Sequence, residues 1–395
     1  MTKNIQITLK SGKEISLMRL HPWVFSGAIK SISGEVQEGD LVDVLSNHGE
    51  FLGLGHCQPG SIAVRMLSFK KEEINLDFWI RKIEDAVRLR ENIGFIDNPL
   101  TNVFRLINAE GDRLPGLVVD YYNGTAILQM HSVGMYLIRE TLVEALKNVL
   151  GNKLKCVYDK SEGTLPFKAG MDAKSEYLFG SPGENKVIEN GNNFFIDWEE
   201  GQKTGFFIDQ RENRKLLGEY SKGRKVLNMF CYTGGFSVYA MRAGASLVHS
   251  VDASKKAIEL TDKNIAANFE NDNRHASFAE DAFDFFNRKG QDYDLIILDP
   301  PAFAKHLKVL DNALQGYKRI NREAIEKISP GGIIFTFSCS QVVSRENFRK
   351  SVFAAAASSG RNVRILHQMS QPADHPISIY HPEGEYLKGL VIQVD

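Results

Sequence analysis

A chain of 395 residues is too long for one ordinary hydrophobic core, so two or three domains are expected. Its hydrophobic share of 43% and charged share of 25% are those of a globular protein. A net charge of −1 does not advertise a nucleic-acid binder, whose footprint is usually basic. The opening Met1-Thr2-Lys3-Asn4-Ile5-Gln6 lacks the apolar stretch of a secretory signal, and runs such as Leu295-Ile296-Ile297-Leu298 are too short to span a bilayer. The four cysteines (Cys57, Cys156, Cys231, Cys339) are scattered, without disulfide or zinc spacing. A cytoplasmic protein with no membrane partner and no metal is the expectation.

Residues 1 to 70 alternate apolar and polar positions between Gly and Asn turns: Ile5–Leu9, Leu41–Leu45, Phe51–Gly55 and Ile62–Leu67. That pattern predicts a small β-barrel domain. From 76 to 94 the spacing turns helical, with Phe78, Ile80, Ile83, Val87 and Leu89 largely on one face and Gly94 as the stop. Strands at Phe104–Ile107, Leu117–Tyr121 and Thr125–Met130 follow, the last two joined by the hairpin turn Tyr122-Asn123-Gly124. A helix from Tyr136 to Val149 and a strand at Lys155–Tyr158 complete a middle α/β segment, 71–185, ending at the loop Gly180-Ser181-Pro182-Gly183-Glu184-Asn185. The third segment, 186–395, alternates strand and helix. Strands are expected at Lys225–Met229, Leu247–Val251, near Ser277-Phe278, at Leu295–Leu298 and at Ile333–Phe337. Helices are expected at Phe236–Ala243, Lys255–Asn268, Phe283–Arg288 and through Ile320–Ile328. Such alternation builds a doubly wound, mostly parallel Rossmann-like sheet with its ligand site outside the carboxyl ends of the strands.

Two of those strand ends carry chemistry. Leu295–Leu298 runs into Asp299-Pro300-Pro301, and Ile333–Phe337 runs into Ser338-Cys339-Ser340. A thiol beside a carboxylate suits reactions on a pyrimidine ring, whose carbon must be activated by covalent attack before it accepts an electrophile. The first βα turn, Asn228-Met229-Phe230-Cys231-Tyr232-Thr233-Gly234-Gly235, brings glycines to the opening of a helix but does not match the dinucleotide pattern GxGxxG. Asp252 closes the second strand and suits both hydroxyls of an adenosine ribose. Asp281 follows the third and suits the adenine amino group. An adenosyl ligand is favoured over a nicotinamide dinucleotide.

Those residues, with Asp299-Pro300-Pro301, resemble the class I S-adenosylmethionine-dependent methyltransferases. The likeness is closest to the bacterial and archaeal RNA methyltransferases that carry an N-terminal PUA domain. It extends to His21-Pro22-Trp23-Val24-Phe25-Ser26-Gly27-Ala28, Gly111–Leu117, Lys203–Arg211, Asp374-His375-Pro376 and Pro382–Gly389. The resemblance implies a PUA-like RNA-binding domain over 1–70 and a methyltransferase domain over 186–395. It implies S-adenosyl-L-methionine as cofactor, held by the turn from Asn228 to Gly235 (Phe230, Tyr232, Thr233 and Gly234 within it), by Asp252 with Ser254, and by Asp281 with Ala282. Thr204, Phe207, Gln210, Asp299 and Pro300 would lie at its methionine end. Phe206 reads equally as core packing. Thr204 and Gln210 are polar in an apolar lead-in and need partners once buried.

The family's best-known member methylates cytosine C5 in 23S rRNA, so rRNA, naked or in an assembling large subunit, is the implied partner, with a homodimer as the suggested state. On that reading Cys339 is the nucleophile that adds to C6 and Asp299 the general acid at N3. Phe303 and Tyr317 could stack on the base or belong to the core. No cysteine follows Asp299-Pro300-Pro301, which leaves the acceptor of the C5 proton open among water, Asp374 and His375. RNA would need local positive charge. Lys305-His306-Lys308, Lys318-Arg319 with Arg322, and Arg345 with Arg349-Lys350 are the clusters, each of which alone reads first as a solvated helix face. The rivals are an amino-group RNA methyltransferase, which needs no thiol, and a non-catalytic RNA-binding assembly factor.

Overall fold

The computed structural model describes residues 5–166, 173–289, 292–304 and 306–395. The chain forms two units: Met1–Val187 with Ile196–Phe206 and Ala373–Gly384, and Ile188–Phe195 with Phe207–Pro372 and Glu385–Asp395.

In the first unit a six-stranded sheet runs in the order Trp23–Phe25, Ile62–Ser68, Phe51–Cys57, Leu41–Leu45, Ile5–Leu9 and Ile29–Ile32. Its pairs are antiparallel except Ile5–Leu9 against Leu41–Leu45. Alternation sends Val42 and Val44 inward with Ile7 and Val64, all fully buried. A five-stranded sheet follows, ordered Glu176–Gly180, Cys156–Asp159, Thr125–Met130, Leu117–Tyr122 and Val103–Asn108. The helix Leu76–Asn92 starts at Asn75, whose Oδ1 accepts from the Phe78 amide at 3.1 Å. Leu54 and Leu67 of the first sheet share one apolar core with Phe78, Ile83, Leu106 and Leu128, so both sheets close on each other. The helix expected from Tyr136 to Val149 is two, Val133–Leu137 and Arg139–Leu150, broken at Ile138 (φ −100°, ψ 15°).

Asp374 and His375 are buried in this unit. The Asp374 carboxylate accepts from the Arg105 amide at 2.9 Å and lies 3.1 Å from His375 Nδ1, while its carbonyl accepts from Arg90 at 2.7 Å. Arg90 itself is fully buried and paired with Asp112 at 2.5 Å. These contacts make the segment from 373 a clamp on the unit's buried charges.

The second unit holds a seven-stranded sheet: β1 (Lys225–Met229), β2 (Leu247–Asp252), β3 (His275–Ala279), β4 (Leu295–Leu298), β5 (Gly332–Ser338), β6 (Val363–Met369) and β7 (Lys388–Val394). The order is β3-β2-β1-β4-β5-β7-β6, with β7 antiparallel to both neighbours and every other pair parallel. Its helices are α1 (Arg211–Ser221), α2 (Gly235–Arg242), α3 (Lys255–Ala266), α4 (Ala282–Lys289), α5 (Leu310–Lys327) and α6 (Arg345–Ser359). β1, β4 and β5 are apolar runs buried on both faces, as parallel strands between helices require. The strand order reverses between β1 and β4, which opens a crevice beyond their carboxyl ends.

Candidate active site

The turn after β1 is held in a strained shape. Phe230, Tyr232 and Gly234 all have left-handed φ, at 57°, 47° and 76°, and the first two gain nothing from lacking a side chain. Neighbouring elements supply the restraint. Asp252 Oδ2 at the end of β2 accepts from the Tyr232 amide at 3.0 Å. From α3, Thr261 Oγ1 donates to the Tyr232 carbonyl at 2.8 Å and Asn264 Nδ2 to that of Thr233 at 2.9 Å. A Cβ on Gly234 would stand 2.7 Å from Thr261 Cγ2, so only glycine permits this approach. Thr233, Gly234 and Gly235 are buried, and Tyr232 is flanked by Phe207 with ring centroids 5.1 Å apart.

Asp252 has spent one lone pair on Tyr232 and one on the Ser254 amide at 2.9 Å, leaving acceptor capacity for two hydroxyls. Ser254 caps α3, its hydroxyl accepting from the Ala257 amide. Asp281 is exposed and caps α4, its Oδ1 accepting from the Phe283 amide at 2.8 Å; buried Ala282 opens that helix. Asn228 is fully buried. Its amide nitrogen donates to Ser237 at 2.9 Å, and its Oδ1 has no partner among the described residues. A tight turn with a carboxylate at the next strand end and an open amide oxygen fits an uncharged adenosyl group.

Across the switch point, Leu298 of β4 lies opposite Thr336 of β5, so Asp299 and Cys339 leave adjacent strands at the same edge of the sheet. Ser340 Oγ donates to the Ala304 carbonyl at 2.6 Å, tying the two exit loops together. Gln210 is buried, donates to Asp299 Oδ2 at 3.0 Å and accepts from Asn213 at 2.6 Å. Burial, reinforced by the nearby Asp209 carboxylate, pushes Asp299 up to about 7, against the Gln210 hydrogen bond and the Arg214 charge. Asp299 can therefore hold and release a proton near neutrality. Asp209 is fixed by the Tyr386 hydroxyl, which donates to its Oδ2 at 2.8 Å.

Cys339 is partly exposed, whereas Cys57, Cys156 and Cys231 are buried. Burial, with the Asp252 charge, lifts the Cys231 thiol far above the usual range, so its place in the turn after β1 gives it no nucleophilic character. Tyr317 is fully buried against Phe303 at 4.7 Å and accepts from Ser338 Oγ at 2.9 Å, which makes it core; Phe303 is partly exposed and Pro300 buried. Thr204 lies in the first unit, its hydroxyl 2.6 Å from Asp120 and 2.9 Å from the Tyr122 hydroxyl.

Two features went unread in the sequence. The Glu189 carboxylate, fully buried, accepts from Arg214 at 2.8 and 2.9 Å and from the Tyr239 hydroxyl at 2.9 Å. Lys388 is buried at the head of β7, where a charged residue opening an apolar strand was the available signal. Within the basic clusters Arg322 faces Glu326 at 3.5 Å, Lys350 faces Glu346 at 2.7 Å and Arg345 pairs with Glu385, while Arg319 lies over the Phe283 ring and keeps its charge. His306 and Lys308 are exposed, and Lys305 lies outside the described residues.

Residues 118–377 match the family model of S-adenosylmethionine-dependent methyltransferases, more than half of the chain. The chain belongs to this family. Residues 7–69 of the methyltransferase match a PUA-like domain. It is 42% identical over 399 residues to ribosomal RNA large subunit methyltransferase I of Shewanella frigidimarina, covering 99% of both chains. It is 39% identical over 396 residues to the protein of that name from Tolumonas auensis, covering 98% of both. Among solved structures, SMU.776, a candidate methyltransferase complexed with SAH, superposes with a TM-score of 0.84 at 26% identity, over 98% of this chain and all of the other. The methyltransferase thus uses S-adenosylmethionine. Among the described residues no helix is long and apolar enough to cross a membrane.

Proposed function

We propose that the methyltransferase forms 5-methylcytosine in RNA of the large ribosomal subunit through a covalent bond between Cys339 and C6 of the ring. The observation that carries this is the partly exposed thiol of Cys339 at the end of β5 beside Asp299 at the end of β4. The names of its full-length relatives supply the RNA class.

S-adenosylmethionine, when bound, supplies an electrophilic methyl group. The turn Asn228–Gly235 would hold it, with Asp252 and Ser254 at the ribose, Asp281 and Ala282 at the adenine, and Phe207, Gln210 and Pro300 toward the methionine end. The target cytosine must leave its stack to reach the crevice. The Cys339 thiolate adds to C6 while Asp299, held protonated to about pH 7, gives its proton to N3. C5 then carries enamine electron density and accepts the methyl group. A water molecule in the crevice takes the C5 proton, which restores the double bond, expels the thiolate and returns the N3 proton to Asp299. Gln210 keeps the Asp299 carboxyl oriented throughout.

The test uses large-subunit rRNA fragments containing 5-azacytidine, whose ring nitrogen at position 5 prevents elimination. The wild-type protein forms a denaturant-stable adduct and Cys339→Ala does not. Methylation that survives in Cys339→Ala would sink the covalent reading and favour transfer to an exocyclic amino group.

A further inference from the structure

The proposed chemistry needs a thiolate, yet an ordinary cysteine is mostly protonated at neutral pH. β5 and β7 pair with Ser338 opposite Lys388, so the lysine enters the sheet where Cys339 leaves it. Lys388 is 3% exposed, and its Nζ donates to the carbonyl of Ser340, the residue after Cys339, at 2.6 Å. An ammonium group has three N–H donors and its burial is costly without an anion. The charged or titratable groups acting on it are Cys339, Glu385 just before β7, and Arg345 on α6. Glu385 is engaged by Arg345, and the interaction with Cys339 is the larger of the two that favour the cation. Tyr317 on α5 also faces Cys339, but burial keeps its hydroxyl neutral, up to about 12.

We propose that Lys388 is the positioning residue that maintains Cys339 as a thiolate, the buried ammonium pairing with the partly exposed sulfur. The proposal rests on reading Cys339 as the nucleophile. The S–H bond breaks with its electrons left on sulfur, and the proton passes to the Lys388 amine; nothing is oxidised. Addition to C6 removes the anion from the pair, and elimination restores it. Burial brings Lys388 down to about 8, so the amine that accepts the thiol proton is accessible near neutrality.

The test needs no RNA. Native full-length protein is alkylated with iodoacetamide across pH 5.5 to about 10, and modification of the Cys339 peptide is followed by mass spectrometry. The wild type should show a midpoint below the ordinary thiol value of about 8.5. Lys388→Met should raise the midpoint by about one pH unit or more and slow alkylation about tenfold at pH 7, with Lys388→Arg restoring most of the loss. An unchanged midpoint in a folded Lys388→Met, judged by SAH binding, would overturn the pair and leave the lysine as a tie to the Ser340 carbonyl. If Lys388→Met fails to fold, the wild-type midpoint decides: a value at or above about 8.5 overturns the proposal. A low midpoint without an adduct on 5-azacytidine RNA would refute the cytosine reading while supporting the pair.

Discussion

Replacing Asp299 by Asn should stabilise the protein, by an amount that grows as pH rises above about 4 and levels off above about 7. Asp299 is displaced from a usual value of 3.8 to about 7, first by burial and then by the Asp209 carboxylate. Between those values the folded chain binds a proton that the unfolded chain has lost. Stability therefore falls as pH rises, and the full cost is reached above about pH 7. At about 1.4 kcal/mol per pH unit, the ionised carboxylate costs the fold about 4 kcal/mol. Asn carries no charge to desolvate, and its Oδ1 can still accept from Gln210. Scanning calorimetry of wild type and Asp299→Asn from pH 4 to 9 should show nearly coincident transitions at pH 4, diverging to about 5 °C in favour of the variant above pH 8. A difference independent of pH, or one largest in acid, would refute the argument. Methylation should be lost in the same variant, so the site gives up stability in exchange for a proton near neutrality.

Asp252→Ala removes the acceptor for the Tyr232 and Ser254 amides as well as the proposed ribose contact. SAH affinity by titration calorimetry should fall about 10- to 100-fold. Gly234→Ala forces a side chain into a left-handed residue against Thr261, and urea denaturation should show a loss of about 1–3 kcal/mol together with weaker SAH binding. Glu189→Gln leaves Arg214 and Arg211 buried without their shared carboxylate, and the expected loss is about 3–5 kcal/mol in urea denaturation. A loss under about 1 kcal/mol would mean that other groups compensate those cations.

The strands that were legible in sequence are apolar runs bounded by turn signals. Thr125–Met130, Lys225–Met229 and Leu295–Leu298 begin and end where the pattern placed them. β6 was not legible because it is an edge strand, mostly exposed, whose partner β7 arrives from later in the chain. The strand-end placement of Asp299 and Cys339 followed from turn chemistry and the rule for parallel sheets. What local pattern could not give was partnership across long separations. A buried Thr204 demanded a hydrogen bond, but Asp120, 84 residues earlier, had no local signature. The excursion of Ala373–Gly384 into the first unit was hidden for the same reason, and so was the charge on Lys388 beneath the Ser340 carbonyl.

That excursion bears on how the protein is made. Arg90 and the Arg105 amide receive the carbonyl and carboxylate of Asp374 only from a residue 284 and 269 positions further along the chain. The first unit cannot finish its interior while it is nascent, although domains that precede others usually fold as they emerge. It must wait for β6 to be made, with one Arg90 N–H and the Arg105 amide lacking their Asp374 acceptors until a short stretch near residue 374 returns. Loss of that stretch should leave a chain that expresses its early sheets yet stays open to proteases, a defect set by the order of translation.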